Sequence, residues 1–484
     1  MRKLDDYSPL QQSGVDLSNY QEQLAKERSS RTLTLRRSVR PSINNVISRP
    51  NSIPKPGTGF FDVNSFPFLD PAVFSDIIGS GNLERINELY RNIDFLSKEK
   101  PRLVQNLFNS PIICESLLSA LVSDNSGMIM VILGFICIIF PKSEGNQTKF
   151  IDDGLVFSLS GFLQSGSIPL IKQAILVIDV ITECSYARDS LICIGTHMDL
   201  INIALEYANQ DVSESACSTL SVVFAYPDQV DSSAISSSID MMAPLLGLTS
   251  ITCLKHVFTC LIGITNKCPS LIHKLYELGM FSTIVQYLEY EDLISVCLPL
   301  IGNMSVSQSN HIRDLLDTNL LHKLSILLET NHASEVLWVL SNLIESIPQT
   351  MLSLIDYSTI EKALFLGING GFEEKKESAF FLATIIVFSP INELSNYVNH
   401  EIVEILEEML GSGVNVIIIR CLDSIIKLIH HLETTFSYNI GDIVFSDEMR
   451  SSLTALLSNE STLMSERAGF ILNYFEEKDS NLIN

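Results

Sequence analysis

The only tryptophan of the 484-residue chain stands in the phrase Glu335-Val-Leu-Trp338-Val-Leu-Ser341-Asn342-Leu. Residues three and four apart share one face of a helix, so Glu335, Trp338 and Asn342 would line up over two turns. An indole there can wall the alkyl stem of a Lys or Arg and add cation–π attraction. A carboxamide can pair with the main chain of an extended peptide, and a carboxylate one turn earlier can meet the cation. Alone, such a pair reads more readily as a core aromatic beside a turn-side polar residue, so its recurrence along the chain is the deciding feature. Other chemistry has no support. The nine histidines form no HExxH and no Cys/His spacing for a metal, and phosphate-binding and nucleophile-elbow motifs are absent. No metal, no cofactor and no enzymatic activity are expected. The ten cysteines contain no CxxC pair and fall mostly in apolar helical stretches such as those of Cys253, Cys260 and Cys268, as reduced core thiols do.

The elements that must position these residues are helices. From Phe60 onward apolar residues recur three and four apart between short Gly, Ser, Asn or Pro breaks, with no alternating strand, which predicts an all-α body over residues 59–484. One phrase repeats within it: a helix ends, a small turn follows, and a new helix begins at Gly154, Gly195, Gly279 and Asn319. Their separations of 41, 84 and 40 residues define a period of 40 to 42, the length of an armadillo or HEAT repeat with two or three helices. About nine or ten such units would stack into a right-handed superhelical solenoid whose third helices line a groove suited to an extended peptide. Ahead of it, residues 1–58 are polar and basic and end in a Pro- and Ser-rich tether, a disordered arm. Charge divides the same way. Residues 1–50 hold nine basic and five acidic side chains, net +4, and the other 434 residues carry −28. An acidic body repels nucleic acid and attracts cationic partners. The longest apolar run, Met128 to Phe140, has 13 residues, too few for a bilayer, and the first residues lack a signal-peptide run.

The Trp-x-x-x-Asn phrase resembles the array of importin-α. Around it KQAILVID followed by ARDSLICIG, LIGN in the repeat before the tryptophan, KKESAFFLA in the one after, and ERAGFILNYFEEKDS near the C-terminus are similar to that family's repeats. The stretch Leu24 to Val39 resembles the second half of an importin-β-binding segment, although its Lys-Arg-Arg cluster is reduced to Leu35-Arg36-Arg37. The resemblance implies a monomeric nuclear-import adaptor that shuttles between cytoplasm and nucleus. It would bind basic nuclear localisation signals of cargo in its groove and importin-β through Lys26, Arg28, Arg31, Arg36, Arg37 and Arg40. It also implies an export receptor and nucleoporins as partners, with no nucleic acid and no membrane insertion.

Departures from the family pattern sharpen the expectation. Stepping by the period, the positions matching the family's Trp and Asn in the major signal site are Phe135/Ile139, Leu176/Val180 and Ser218/Val222, with no amide left to pair with a peptide. Thr259/Gly263 and Pro299/Asn303 come next. In the minor site Asn303, Trp338, Ser341 and Asn342 match, Glu335 and Glu377 keep the acidic position, and Phe380 and Thr384 replace Trp and Asn. Cargo peptides are therefore expected at the minor site. The alternative is an armadillo scaffold that holds a specific non-signal partner in an apolar groove.

Overall fold

The computed structural model describes residues 66–208, 210–225, 232–396, 399–435 and 446–482, and every regular element among them is a helix. The arm, with its candidate importin-β-binding residues, lies outside the described residues. The described chain divides between residues 362 and 363 into two compact units. Ten long helices carry the repeat. In the first unit they are α1 (Leu83–Glu99), α2 (Ser126–Ile139), α3 (Ile168–Ile181), α4 (Asp211–Val223), α5 (Ile251–Lys267), α6 (Glu291–Met304) and α7 (Ala333–Ser346). In the second they are α8 (Phe372–Phe388), α9 (Asn415–Thr435) and α10 (Thr462–Leu482). Within each unit every long helix packs on the one before it, and shorter helices form a second layer.

The turns explain why the chain breaks where it does. Gly154, Gly195 and Gly279 take φ of 102°, 92° and 67°, and Asn319, the one non-glycine with positive φ among the described residues, takes 64°. Each sits directly before a helix: Leu155–Leu163, Thr196–Glu206, Met280–Gln286 and Leu320–Leu327. A left-handed residue ends one helix sharply enough for the next to fold back, and only glycine or, less readily, asparagine adopts it without steric cost. Helix starts are equally local. Asp70, Asn82, Asn125 and Ser250 accept hydrogen bonds from main-chain N–H groups of the first turn, and Pro71, Pro101, Pro111 and Pro348 stand where a missing N–H costs nothing.

Stacking puts the period into hydrogen bonds. The Asn146 Nδ2 donates to the Phe108 carbonyl at 3.0 Å, the Ser346 hydroxyl to the Ser305 carbonyl at 2.7 Å, and the Tyr287 hydroxyl to the Leu246 carbonyl at 2.5 Å, across separations of 38, 41 and 41 residues. One repeat's polar side chain thus satisfies the preceding repeat's helix end, where carbonyls lack intrahelical partners. At the first end of the array α1 buries Ile86, Leu89, Ile93 and Leu96 and exposes Arg85, Glu88 and Asn92, the polar outer face that a terminal repeat needs.

Candidate ligand-binding face of the long helices

The residues read as a signal-binding pair are inside the protein. Trp338 is 4% exposed and Asn342 1%. The indole lies against Gly302 of α6, where a Cβ would overlap the ring, so the bare backbone of the neighbouring helix is its seat. The Asn342 Nδ2 donates to the Gly302 carbonyl at 2.9 Å. Asn303 is buried as well, and its Nδ2 donates to the Thr265 hydroxyl at 2.9 Å and the Asn266 side-chain oxygen at 3.0 Å on α5. The Ser341 hydroxyl donates to the Leu337 carbonyl of its own helix at 2.7 Å. These four side chains, expected at a peptide groove, are buried and hydrogen-bonded between or within helices. The ladder is here an inter-repeat lock, because a glycine one helix earlier lets the indole sink until its edge is covered.

The remaining minor-site positions follow. Phe380 and Thr384 are fully buried in α8, with the Thr384 hydroxyl donating to the Phe380 carbonyl at 2.7 Å. The Arg420 guanidinium of α9 stands 4.9 Å from the centre of the Phe380 ring, so the cation over this aromatic is the protein's own. Glu377 is buried too, its carboxylate 3.9 Å from Lys376, whereas Glu335 stays half-exposed and accepts from the Ser334 hydroxyl at 3.0 Å.

The major-site positions divide. Phe135 and Ile139 are core residues, Phe135 standing edge-on to the Phe74 and Tyr90 rings at 5.4 and 5.3 Å. Further along, the positions reach the surface: Leu176 is 49% exposed, and Val180, Ser218, Val222, Thr259 and Pro299 are half-exposed. The ladder positions of this stripe on α3 to α6 are short-chained and uncharged, and the half-exposed Asp179 stands between Leu176 and Val180. At the N-terminal ends of the same helices Lys172 stands 3.7 Å from Asp211 and Lys255 3.4 Å from Asp292, so acid and base alternate from helix to helix. Exposed pairs of this kind contribute about 0–1 kcal/mol. Pro299 adds one more feature. Inside α6 it has no N–H to give the carbonyl four residues earlier, that of the exposed Ser295.

The stripe can therefore offer van der Waals contact and a few neutral hydrogen-bonding groups, and it lacks the planar walls and carboxamides that grip a lysine-rich peptide. Burial pushes Cys114, Cys137 and Cys421 up to about 12, which keeps these three thiols protonated at neutral pH, whereas Cys193 is exposed. Gly302, which decides the fate of the tryptophan, was visible in the sequence only as part of LIGN. A glycine one residue before the ladder Asn was the available sign of close helix approach, and the two lysines of the stripe carried none.

Comparison with known proteins gives the fold its parallels. No family model matches the chain, and no curated protein matches it. An engineered protein solved by the Northeast Structural Genomics Consortium superposes over 84% of this chain and 99% of its own length, with a TM-score of 0.67 and 18% identity. A designed armadillo-repeat protein covers 48% of this chain and 99% of itself at 20% identity and a TM-score of 0.42. At 18% identity the superposition on the engineered protein speaks for fold alone. With its repeat of about 40 residues, a short helix pair followed by a long helix, the chain is an all-α protein of the armadillo-repeat fold.

Proposed function

We propose that this chain is a protein-binding adaptor that holds its partner on the α3–α6 stripe through apolar and neutral contacts at Leu176, Val180, Ser218, Val222, Thr259 and Pro299. The observation that carries this reading is the inversion of the ladder: its indole and carboxamides are locked between helices, and the positions left at the surface are short and uncharged. A peptide-display selection on the full chain, repeated with Leu176→Asp and Val222→Asp, tests it. Apolar or neutral sequences that the two substitutions abolish are expected. Selection of lysine-rich sequences indifferent to both would sink the proposal.

A finer reading makes this adaptor one of nuclear import, with importin-β on the arm and cargo on the body. What favours it is the charge split, +4 on residues 1–50 and −28 on the rest, together with the importin-β-binding-like stretch. On this reading a peptide of residues 2–49 binds importin-β and loses at least tenfold when Arg28, Arg31, Arg36, Arg37 and Arg40 become serine, about 1.4 kcal/mol or more. Equal binding by both peptides would reject it. Export receptor and nucleoporin contacts belong to the same reading.

A further inference from the structure

Pro299 opens the main chain of the stripe itself. It stands inside α6 and supplies no N–H to the Ser295 carbonyl one turn earlier. Ser295 is exposed and Pro299 half-exposed, so the freed acceptor lies on the face proposed for the partner, where helix carbonyls tilt outward. Nothing nearby replaces the lost donor. Among the described residues no side chain, and no main-chain group from outside the helix, donates to the Ser295 carbonyl, and the Ser295 hydroxyl makes no hydrogen bond. On the neighbouring α5 the Thr259 hydroxyl donates to the Lys255 carbonyl at 2.8 Å, and the Lys255 ammonium stands 3.4 Å from Asp292. Carbonyls without a helical donor belong to helix ends. Here one lies in mid-helix, beside Thr259 and Pro299 of the ladder.

We propose that Ser295 is where the stripe reads the main chain of an extended, uncharged peptide segment: its carbonyl accepts a peptide N–H, and its hydroxyl donates to a peptide carbonyl. This contact rests on the partner-holding role proposed for the stripe and narrows it to a class of partner. A helical segment has no main-chain N–H to give beyond its first turn, whereas extended chain presents N–H and C=O groups to one side at every second residue. Spacing agrees. Helices α3 to α6 pack in succession, neighbouring helix axes stand about 8–10 Å apart, and extended chain covers that step in about three residues. A segment of about nine residues therefore reaches from Leu176 to Pro299, with apolar side chains on Leu176 and Val222 and one N–H over Ser295.

The test is a double-mutant cycle on the full chain. Peptides come from the display selection above, and each main-chain N–H of the tightest binder is replaced in turn by an ester oxygen. Against the unaltered chain one ester should weaken binding about threefold to tenfold, the worth of one neutral hydrogen bond. Against Pro299→Ala, whose new N–H reclaims the Ser295 carbonyl, the same ester should have no effect. Loss of the proline ring's own contact is common to amide and ester and drops out of the comparison. Pro299→Ala should also raise the urea midpoint, because the helix recovers its hydrogen bond. A lower midpoint, or ester effects equal in the two proteins, would overturn the proposal. The contact and the stripe fail separately. A peptide that Leu176→Asp releases but whose ester series is flat removes the Ser295 contact alone, while a selection that yields no such peptide removes both.

Discussion

Trp338 works by packing, and its substitution should be read in stability. Its indole fills the space left by Gly302, so Trp338→Ala opens a large cavity between α6 and α7 and should cost about 3–5 kcal/mol, measured as a fall in the urea midpoint. Basic-peptide binding by the folded variant should be unchanged, and a selective loss of that binding would restore the signal-wall role. Gly302→Ala tests the same contact from the other helix and should also destabilise, since the new methyl overlaps the ring. A second residue-scale prediction concerns acid. Burial holds His197 below its usual range; its Nε2 lies 2.9 Å from the Ser238 hydroxyl and its Nδ1 3.3 Å from the Leu191 carbonyl. A depressed histidine is neutral when folded while the unfolded chain takes up a proton near pH 6.5, so stability is full above that value and falls as pH drops below it. Urea midpoints between pH 7.5 and 5.5 should decline, and His197→Phe, though less stable at pH 7.5, should show a shallower decline.

At the scale of elements, the left-handed turns carry the repeat. Gly195 closes helix Ser185–Ile194 and opens Thr196–Glu206 at φ 92° with no atom near its absent side chain. Gly195→Ala therefore meets no clash, only the backbone cost of a left-handed alanine, about 1–2 kcal/mol. Asn319→Gly should be neutral or slightly stabilising, because the turn already sits where glycine is at ease. Comparing the two in urea separates conformation from packing: an alanine at 195 without effect would mean that the turn can take another form. All four turn residues were legible from the period. The face that each helix buries was less so. Phe135, Leu176 and Trp338 occupy equivalent positions, one repeat and then four repeats apart, yet two are core and one is at the surface. A shared register does not fix burial when the neighbouring helix offers Gly302 in one repeat and larger side chains in others.

For the molecule as a whole, charge is the dominant long-range term. The residues beyond position 50 carry −28, and their repeat-to-repeat ion pairs, Lys274–Asp240 at 2.6 Å, Lys362–Glu329 at 2.6 Å and Lys375–Glu408 at 2.8 Å, are exposed on the acidic side. Such pairs contribute little each, whereas self-repulsion acts over all the acids within a Debye length of about 8 Å at physiological salt. Raising sodium chloride from 0.05 to 0.5 M should therefore raise the urea midpoint; a fall would show that the pairs outweigh the repulsion. Salt also discriminates between ligands. A partner held on the uncharged stripe should bind almost equally at both concentrations, and a cationic one should weaken steeply, by titration calorimetry.

The sequence by itself determined the all-helical class, the repeat length, the turn residues and the division into a basic arm and an acidic body. These follow from periodicity, from the few residues that tolerate positive φ, and from composition, none of which needs a neighbour in space. Only the tertiary structure decided which ladder residues are available to a ligand. Trp338, Asn342 and Asn303 have the right types and spacing for peptide recognition, but whether an indole walls a groove or fills an interface depends on the side chain 36 residues earlier on the adjacent helix. Here that residue is Gly302, and the absence of one Cβ lets two helices close over the aromatic ring and its carboxamide neighbours.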